Sequence, residues 1–314
     1  MNAELSQWEE LRGQGVFITG GTGFIGRSLL EAITAHGARV TVLSRNPVHH
    51  PAIQMHPGDV RTFLFPPGEY PFVIHAAADV SDLHRPEAAL DLFATIVDGT
   101  RRVLDFASRH GAKKLLFVSS GAVYGRQPAD LTHIPDDFPG APDPFDPGSA
   151  YGEAKRAAEL LCALYAERHG MEIKIARCFA FAGPGLPLDG AFALGNFIRD
   201  ALAGVPIRVQ GDGTARRSYL DVADLALWLW TILLQGKPGR TYNVGSEQGI
   251  SLAELAHTVA RTLNPKSTVT IAQAPVPGRQ PSRYVPSTAR ARGELGLREN
   301  ISLPDAILRT AGKP

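Results

Sequence analysis

Residues 16–26 read V-F-I-T-G-G-T-G-F-I-G, an apolar run that stops at three glycines spaced three apart, Gly20, Gly23 and Gly26. The run is β-branched and aromatic, as a buried strand is, and an amphipathic helical pattern follows it. Glycine at the first position permits a tight turn, at the second lets a pyrophosphate approach the backbone, and at the third lets helix and strand pack closely. The N–H groups of the helix start, around Phe24 and Ile25, then face the phosphates with the helix dipole behind them. The stretch reads as a dinucleotide-binding strand–turn–helix unit.

Outward from that unit, short β-branched runs alternate with longer amphipathic stretches. Strands are expected at 16–19, 39–43, 72–75, 115–118 and 173–176, and helices at 24–36, 86–110 and 150–169. Strand–helix alternation at this spacing implies parallel strands joined by right-handed crossovers, hence an α/β, Rossmann-type doubly wound parallel sheet. After about residue 178 glycine and proline punctuate the chain, in G-P-G-L-P-L-D-G, and the helical patterns shorten. The expected division is a dinucleotide-binding domain at 1–178, with about 219–245 returning to it. A smaller C-terminal substrate-binding domain takes 179–218 and 246–314. The Pro-rich stretch 139–147 reads as a surface loop entering a helix near Ser149, and G-D-G-T-A-R-R-S-Y at 211–219 as a loop.

Composition narrows the class. A net charge of +1 over 314 residues gives no field for nucleic acid or an anionic membrane. Two cysteines, Cys162 and Cys178, indicate no disulfide framework and fit a reducing compartment. The acidic start of the chain has no signal-peptide run, and the apolar stretch at 225–234 is about half a bilayer span, so it reads as a buried helix. A cytoplasmic protein without a membrane partner is expected. The scattered histidines have no partners at metal spacing, so no metal is expected.

The second strand runs V-T-V-L-S-R, placing Ser44 and Arg45 where an acidic residue would hold an adenosine ribose. A guanidinium there suits a 2′-phosphate, so NADP(H) is the expected cofactor, with NAD(H) as the alternative.

Further motifs carry a resemblance. G-D-V supplies Asp59 and Val60; V-I-H-A-A-A supplies His75, Ala76 and Ala77; V-S-S-G-A-V-Y-G supplies Ser120 and Gly121; S-A-Y-G-E-A-K supplies Tyr151 and Lys155. In this order they resemble the extended short-chain dehydrogenase/reductases, in particular the NAD-dependent epimerase/dehydratase family acting on nucleotide sugars. The resemblance implies that Asp59 and Val60 hold the adenine, that His75 to Ala77 line the cofactor, and that Ser120, Tyr151 and Lys155 are catalytic. Four residues apart on a helix, Tyr151 and Lys155 share a face. The lysine ammonium would favour the phenolate of a tyrosine whose ordinary pKa, about 10, makes it a poor base. On the substrate side the resemblance makes Arg217, in G-D-G-T-A-R-R-S-Y, the arginine that grips a diphosphate. Arg279 or Arg283, in P-G-R-Q-P-S-R-Y, would be a second cation and Asn196 a substrate contact.

The departures are informative. Sugar 4,6-dehydratases of the family carry an Asp-Glu pair where Gly121 and Ala122 stand, and a decarboxylase would usually keep the Glu, so both activities are disfavoured. Ala180, Ala182 and Ile96 also replace family residues, which makes the sugar pocket unusual. The expected activity is hydride transfer at sugar C4, by a 4-ketoreductase or a 4-epimerase, in a homodimer. Two other readings stand beside it: a non-catalytic dinucleotide sensor or scaffold, and an NADPH-dependent carbonyl reductase of a small non-nucleotide substrate.

Overall fold

Strand β1 (Gly15–Thr19), buried along its whole length, is an inner strand of a seven-stranded sheet in a computed structural model that describes residues 8–78, 86–190 and 192–313. The other strands are β2 (Arg39–Ser44), β3 (Ile53–Pro57), β4 (Phe72–His75), β5 (Lys114–Ser120), β6 (Glu172–Cys178) and β7 (Thr241–Val244), in the order β7-β6-β5-β4-β1-β2-β3. Every pairing is parallel. The strand order therefore reverses between β1 and β4, and the crevice beyond their carboxyl ends is where such sheets bind ligands. The doubly wound parallel sheet expected from the sequence is present. Two strands escaped the sequence reading, β3 and β7. Only Ile53 of β3 is fully inside, so this edge strand carries little apolar signal.

Helices cover both faces. On one lie α1 (Phe24–Ile33) and, after the chain has returned from the second lobe, the helix Val222–Gln235. On the other lie α2 (Ala89–Arg109) and α3 (Ala150–His169). The buried positions of α3 are mostly small, at Gly152, Ala154, Ala158 and Cys162, which lets it approach the sheet closely. α3 ends at Gly170, which takes the left-handed conformation at φ 67°.

The smaller lobe packs α4 (Ala193–Leu202), α6 (Leu252–Leu263) and α8 (Leu303–Thr310) around Leu194, Phe197, Ile198, Leu255, Val259 and Ile307. The helix Val222–Gln235 is α5, and α7 spans Ala289–Leu295. Phe24, at the start of α1, packs against both the sheet core and this lobe. α5 is mostly apolar because it is mostly buried, and its two indoles still find acceptors. Trp228 donates to the Arg298 carbonyl at 3.1 Å and Trp230 to that of Leu29 at 3.2 Å. Among the described residues no helix is long and apolar enough to cross a membrane. Two buried carboxylates clasp the chain's last segment to α5. Asp221 accepts from the Arg309 guanidinium at 3.1 Å, and Asp224 accepts from the backbone of Asn300 and Ile301 at 2.8 and 3.0 Å.

The β1–β4 junction is fastened by a polar wire. Thr100 of α2 donates to the Ile96 carbonyl at 2.6 Å, so its oxygen accepts Nε2–H of His75 at 3.0 Å. His75 Nδ1 is then the acceptor for the Thr19 hydroxyl at 2.7 Å, and that oxygen accepts the Ala77 N–H at 3.2 Å. Every donor in the series has an acceptor, which fixes a neutral Nε2–H imidazole. Burial, with the nearby Lys155 charge, pushes His75 down to about 3. The native ring thus stays neutral where the unfolded ring, at about 6.5, protonates. Its contribution is complete above about pH 6.5 and is lost as pH falls from there towards 3. Nitrogen-15 NMR of the histidines should show one Nε2–H ring that does not titrate down to pH 4. A His75 midpoint near 6.5 would refute the wire.

Candidate active site

The glycine loop closes the carboxyl end of β1. Gly20 takes φ 73°, and a Cβ there would lie 2.6 Å from the Ala76 carbonyl oxygen. A Cβ on Gly26 would lie 2.1 Å from the Gly20 carbonyl oxygen, so α1 and the loop touch backbone to backbone. Gly23 differs. It is exposed, and among the described residues the one atom near its Cβ position is the Gly20 oxygen at 3.4 Å, an ordinary contact. Packing within the protein does not require glycine there, whereas a group approaching from outside would. Gly23 is also the N-cap of α1; no side chain caps it and the first turn holds no acid. A helix start with unmasked N–H groups and no negative charge fits a pyrophosphate.

Around this loop the other expected cofactor residues fall along the carboxyl edge of the sheet. Ser44 ends β2, buried, its hydroxyl accepting the Asn46 N–H at 3.2 Å, and Arg45 beside it is exposed. Asp59 accepts the backbone N–H and Nε–H of Arg61 at 2.9 and 3.0 Å. Burial alone would raise its carboxyl, but the Arg61 bonds, with the charge of Arg45, hold it below its ordinary value. Val60 packs on Gly99, where a Cβ would come within 2.8 Å of it. Ala76 and Ala77 lie half-buried past β4, while the His75 ring is engaged by the two threonines and leaves only its backbone to face a ligand.

The expected catalytic residues meet at the end of β5. Ser120 is its last residue; the Ser120 hydroxyl accepts the Ala122 N–H at 3.1 Å and starts a short 3-10 turn. Tyr151 stands in the first turn of α3, which is entered through the Pro-rich loop and an Asp146 carboxylate accepting the Gly148 N–H at 2.8 Å. Burial pushes the Tyr151 phenol up to about 12, against a lowering by hydrogen bonding with Ser120. Lys155 is buried; its ammonium donates to the Val118 carbonyl at 2.8 Å and lies 4.7 Å from the Phe117 ring centre. Burial lowers it to about 8. The tuning of Tyr151 by Lys155 is not expressed in this geometry: burial, Ser120 and Cys178 set the phenol, and the lysine is tied to β5. One turn further, Glu159 joins α3 to β5 and β6, accepting from the Ser119 hydroxyl at 2.6 Å and from Arg177 at 2.6 and 3.0 Å.

On the substrate side the stretch read as a loop contains a strand. Arg216–Arg217 pairs antiparallel with Ile250–Ser251 and parallel with Arg283–Tyr284, with Arg217 opposite Tyr284. Arg217 is half-buried, and its guanidinium donates to the Arg216 carbonyl at 2.8 Å. Arg279 is exposed on a turn near Asp212, whereas Arg283 stands in register with Arg216 and has a buried Nε with no hydrogen-bond partner among the described residues. The Asn196 amide is engaged locally, donating to the Gly190 carbonyl at 2.9 Å and accepting from Arg199 at 3.0 Å. The fold thus sets Arg217 beside Tyr284, whose oxygen lies 3.4 Å from the Ser120 hydroxyl, leaves Arg279 exposed near Asp212, and ties Asn196 to Gly190 and Arg199. It also adds two aromatics that the motifs did not signal. Phe179 and Tyr284 pack with tilted rings 4.6 Å apart over Gly121, Tyr284 within a segment read only for its arginines.

Comparison with known proteins agrees with this fold. A sequence profile described as the NAD dependent epimerase/dehydratase family matches residues 16–245. UDP-glucuronic acid decarboxylase 3 of Arabidopsis thaliana is 30% identical over 304 residues, covering 93% of this chain and 86% of that protein. dTDP-glucose 4,6-dehydratase of Streptomyces niveus is 26% identical over 315 residues, covering 94% and 91%. The solved UDP-glucose 4-epimerase of Thermus thermophilus, in complex with NAD, has a TM-score of 0.80 and 26% identity over 95% of this chain and 98% of that one. Fold and site therefore define a Rossmann-fold enzyme of the nucleotide-sugar-modifying class. The chain belongs to the NAD-dependent epimerase/dehydratase family, as its motifs had indicated.

The two loop glycines separate folding from binding. Gly26→Ala forces a methyl into backbone and should cost about 1–3 kcal/mol or more in thermal or urea unfolding. Gly23→Ala should melt like the wild type yet bind NAD(H) or NADP(H) at least about tenfold more weakly in a fluorescence titration. Equal affinities would detach the loop from the pyrophosphate.

Proposed function

We propose that the chain transfers hydride at C4 of the sugar in a nucleoside diphosphate sugar, as a 4-ketoreductase or 4-epimerase with Tyr151 as the acid/base. The observation that supports this most is the approach of the Tyr151 and Ser120 hydroxyls at the carboxyl end of β5, next to the buried Lys155. In this reading Gly20, Gly23, Phe24, Ile25 and Gly26 form the pyrophosphate cradle, and Asp59 and Val60 adjoin the adenine. The backbone of His75, Ala76 and Ala77 lines the cofactor, and Lys155 reaches its nicotinamide ribose. When bound, the nicotinamide supplies or accepts the hydride. Ser120 holds the sugar oxygen at the reacting carbon. Tyr151, kept protonated at neutral pH by burial, gives its proton to that oxygen as a carbonyl becomes an alcohol. In the oxidative direction the phenolate must take the proton from the sugar hydroxyl, and burial, by holding the phenol's pKa up, keeps that phenolate scarce.

Gly121 and Ala122, directly after Ser120, carry no group able to move a proton, which argues against elimination or decarboxylation. A phenol that holds its proton favours reduction over oxidation. Exposed Arg45 beside Ser44, at the end of β2, supports NADP(H) over NAD(H). Arg217 is the diphosphate contact, joined by Arg283 or Arg279, with Gly121 lining the sugar site. Leu160 and Leu164 on α3, 61% and 52% exposed, and Leu90 on α2, 85% exposed, supply an apolar face that a second copy would cover in a homodimer.

Three measurements test this reading. Supplied with a 4-keto-6-deoxy sugar nucleotide, the protein should oxidise NADPH stoichiometrically; cofactor-neutral interconversion of C4 epimers, in a panel of UDP-, dTDP-, CDP- and GDP-sugars, selects the epimerase instead. Tyr151→Phe should lower kcat at least about a hundredfold with KM little changed, and undiminished turnover would end the enzymatic assignment. Arg45→Ala should weaken NADPH binding at least about tenfold while leaving NADH within about threefold; tighter wild-type binding of NADH than of NADPH would remove the NADP preference.

A further inference from the structure

The polar face of α3 runs on past Lys155. Tyr151, Lys155 and Glu159 follow one another at four-residue intervals, so they share one side of the helix, a turn apart. The third of them grips the sheet. Its carboxylate, 12% exposed, accepts the Ser119 hydroxyl at 2.6 Å and the Arg177 Nε–H at 3.0 Å on Oε1, and an Arg177 Nη2–H at 2.6 Å on Oε2. Ser119 and Arg177 stand opposite each other in the β5–β6 register, and the next pair along is Ser120 with Cys178. One carboxylate therefore holds the rung directly before the one that carries Ser120. Arg177 is braced in turn: its guanidinium lies 4.7 Å from the Tyr124 ring centre and donates to the Asp136 carbonyl at 3.2 Å. Short charge-assisted bonds to two strands leave α3 little freedom to slide along the sheet.

The same carboxylate is the counter-charge of Lys155. Tyr151, Glu159 and Cys162 accompany the ammonium on its own helix, Cys178 faces it from β6 and His75 from β4, and β5 offers the Val118 carbonyl and the Phe117 ring. Burial keeps both thiols protonated, Cys178 pushed up to about 12 and Cys162 raised as well, and it keeps Tyr151 a phenol and His75 a neutral ring. Burial lowers Lys155 to about 8, opposed by Cys178, Glu159 and Cys162. Of these three only Glu159, ion-paired with Arg177, bears a charge at neutral pH.

We propose that Glu159 is a positioning residue of this active site: bonded to Ser119 and Arg177, it fixes the helix carrying Tyr151 and Lys155 against the strand carrying Ser120, and it sets a negative charge one turn from the Lys155 ammonium. The proposal rests on the assignment of Ser120, Tyr151 and Lys155 to hydride-transfer chemistry. No proton or hydride passes through Glu159, which acts through those three residues. It also gives the first serine of the Ser119–Ser120 doublet a task of its own: Ser119 anchors the helix, and Ser120 is left for the sugar oxygen.

Glu159→Gln keeps the length of the side chain and an acceptor for Ser119, but removes the charge. The probe is the member of the sugar-nucleotide panel that the wild type turns over, with its cofactor. The variant's kcat should fall about tenfold to a hundredfold, with KM for sugar nucleotide and cofactor within about threefold of wild type. The alkaline limb of its pH–rate profile, where Lys155 loses its proton, should move to lower pH by at least about half a pH unit, because a negative charge that favours the ammonium is gone. Glu159→Asp, with the charge on a shorter arm, should restore that midpoint while its kcat stays at least about threefold below wild type. A Glu159→Gln kcat within about twofold of wild type overturns the proposal, as does a lowered kcat with an unmoved midpoint, which would make Glu159 a structural brace. Should Glu159→Gln fail to fold, Ser119→Ala decides, since it leaves the ion pair intact: kcat should fall about threefold to tenfold with the midpoint in place, and a kcat within about twofold of wild type overturns the proposal. Retained turnover in Tyr151→Phe would instead overturn the reading on which the proposal stands, whatever the Glu159 variants do.

Discussion

The pairing of β1 with β4 is the constraint on which the rest of this molecule depends. Two strands that are not consecutive in the chain lie side by side, so helices leave the sheet in opposite directions on either side of them and a crevice opens at their carboxyl ends. The junction is held by apolar register and also by an unbroken series of hydrogen bonds from Ala77 through Thr19, His75 and Thr100 to Ile96. A buried polar series of this kind is stabilising only when every member is satisfied. Here it sets where the chain turns after β4, and hence how closely Ala76 approaches Gly20.

Electrostatics at the reacting end follow from burial more than from charge pairing. Both the tyrosine and the lysine of the catalytic helix are withdrawn from water, and each shifts towards its uncharged form, Tyr151 to about 12 and Lys155 to about 8. The nearest fixed ion pair, Glu159 with Arg177, is partly buried and bonded at three points, so it ties the helix to β5 and β6. The protein therefore holds Tyr151 and Lys155 on a helix tied to two strands, with burial shifting both towards their uncharged forms.

How much of this was legible in the sequence depended on how far local pattern governed each element. The glycine loop and α3 were legible to within a residue or two, because turn chemistry and helical spacing act over a few positions. β3 was not, since an edge strand with one fully inward residue has almost no periodicity to read. β7 was hidden for another reason: its central Asn243 is buried and satisfied by the Ile134 and Ser287 carbonyls, partners more than forty residues away. The pair Arg216–Arg217 looked like loop because two arginines beside glycines resemble one, and only pairing on both sides makes them a strand. At the site, Ser120, Tyr151 and Lys155 came from motif order, whereas Phe179 and Tyr284 reach Gly121 through tertiary contact alone. The lysine was read correctly as a neighbour along the helix, yet its ammonium found the Val118 carbonyl, a choice made by the strand beneath it.

The carboxylates of α5 have a consequence for how the protein is made. Asp221 and Asp224 lie in the heart of the larger lobe, but their partners are Arg309, Asn300 and Ile301. A ribosome releasing the chain from its amino end exposes α5 long before those partners emerge, and the two acids must stay hydrated until then. These two carboxylates therefore find their partners only after residues 300–309 have been made. The last polar contacts of the larger lobe are thus supplied by the segment that also packs the smaller one, so the two lobes share a seam that closes late in synthesis.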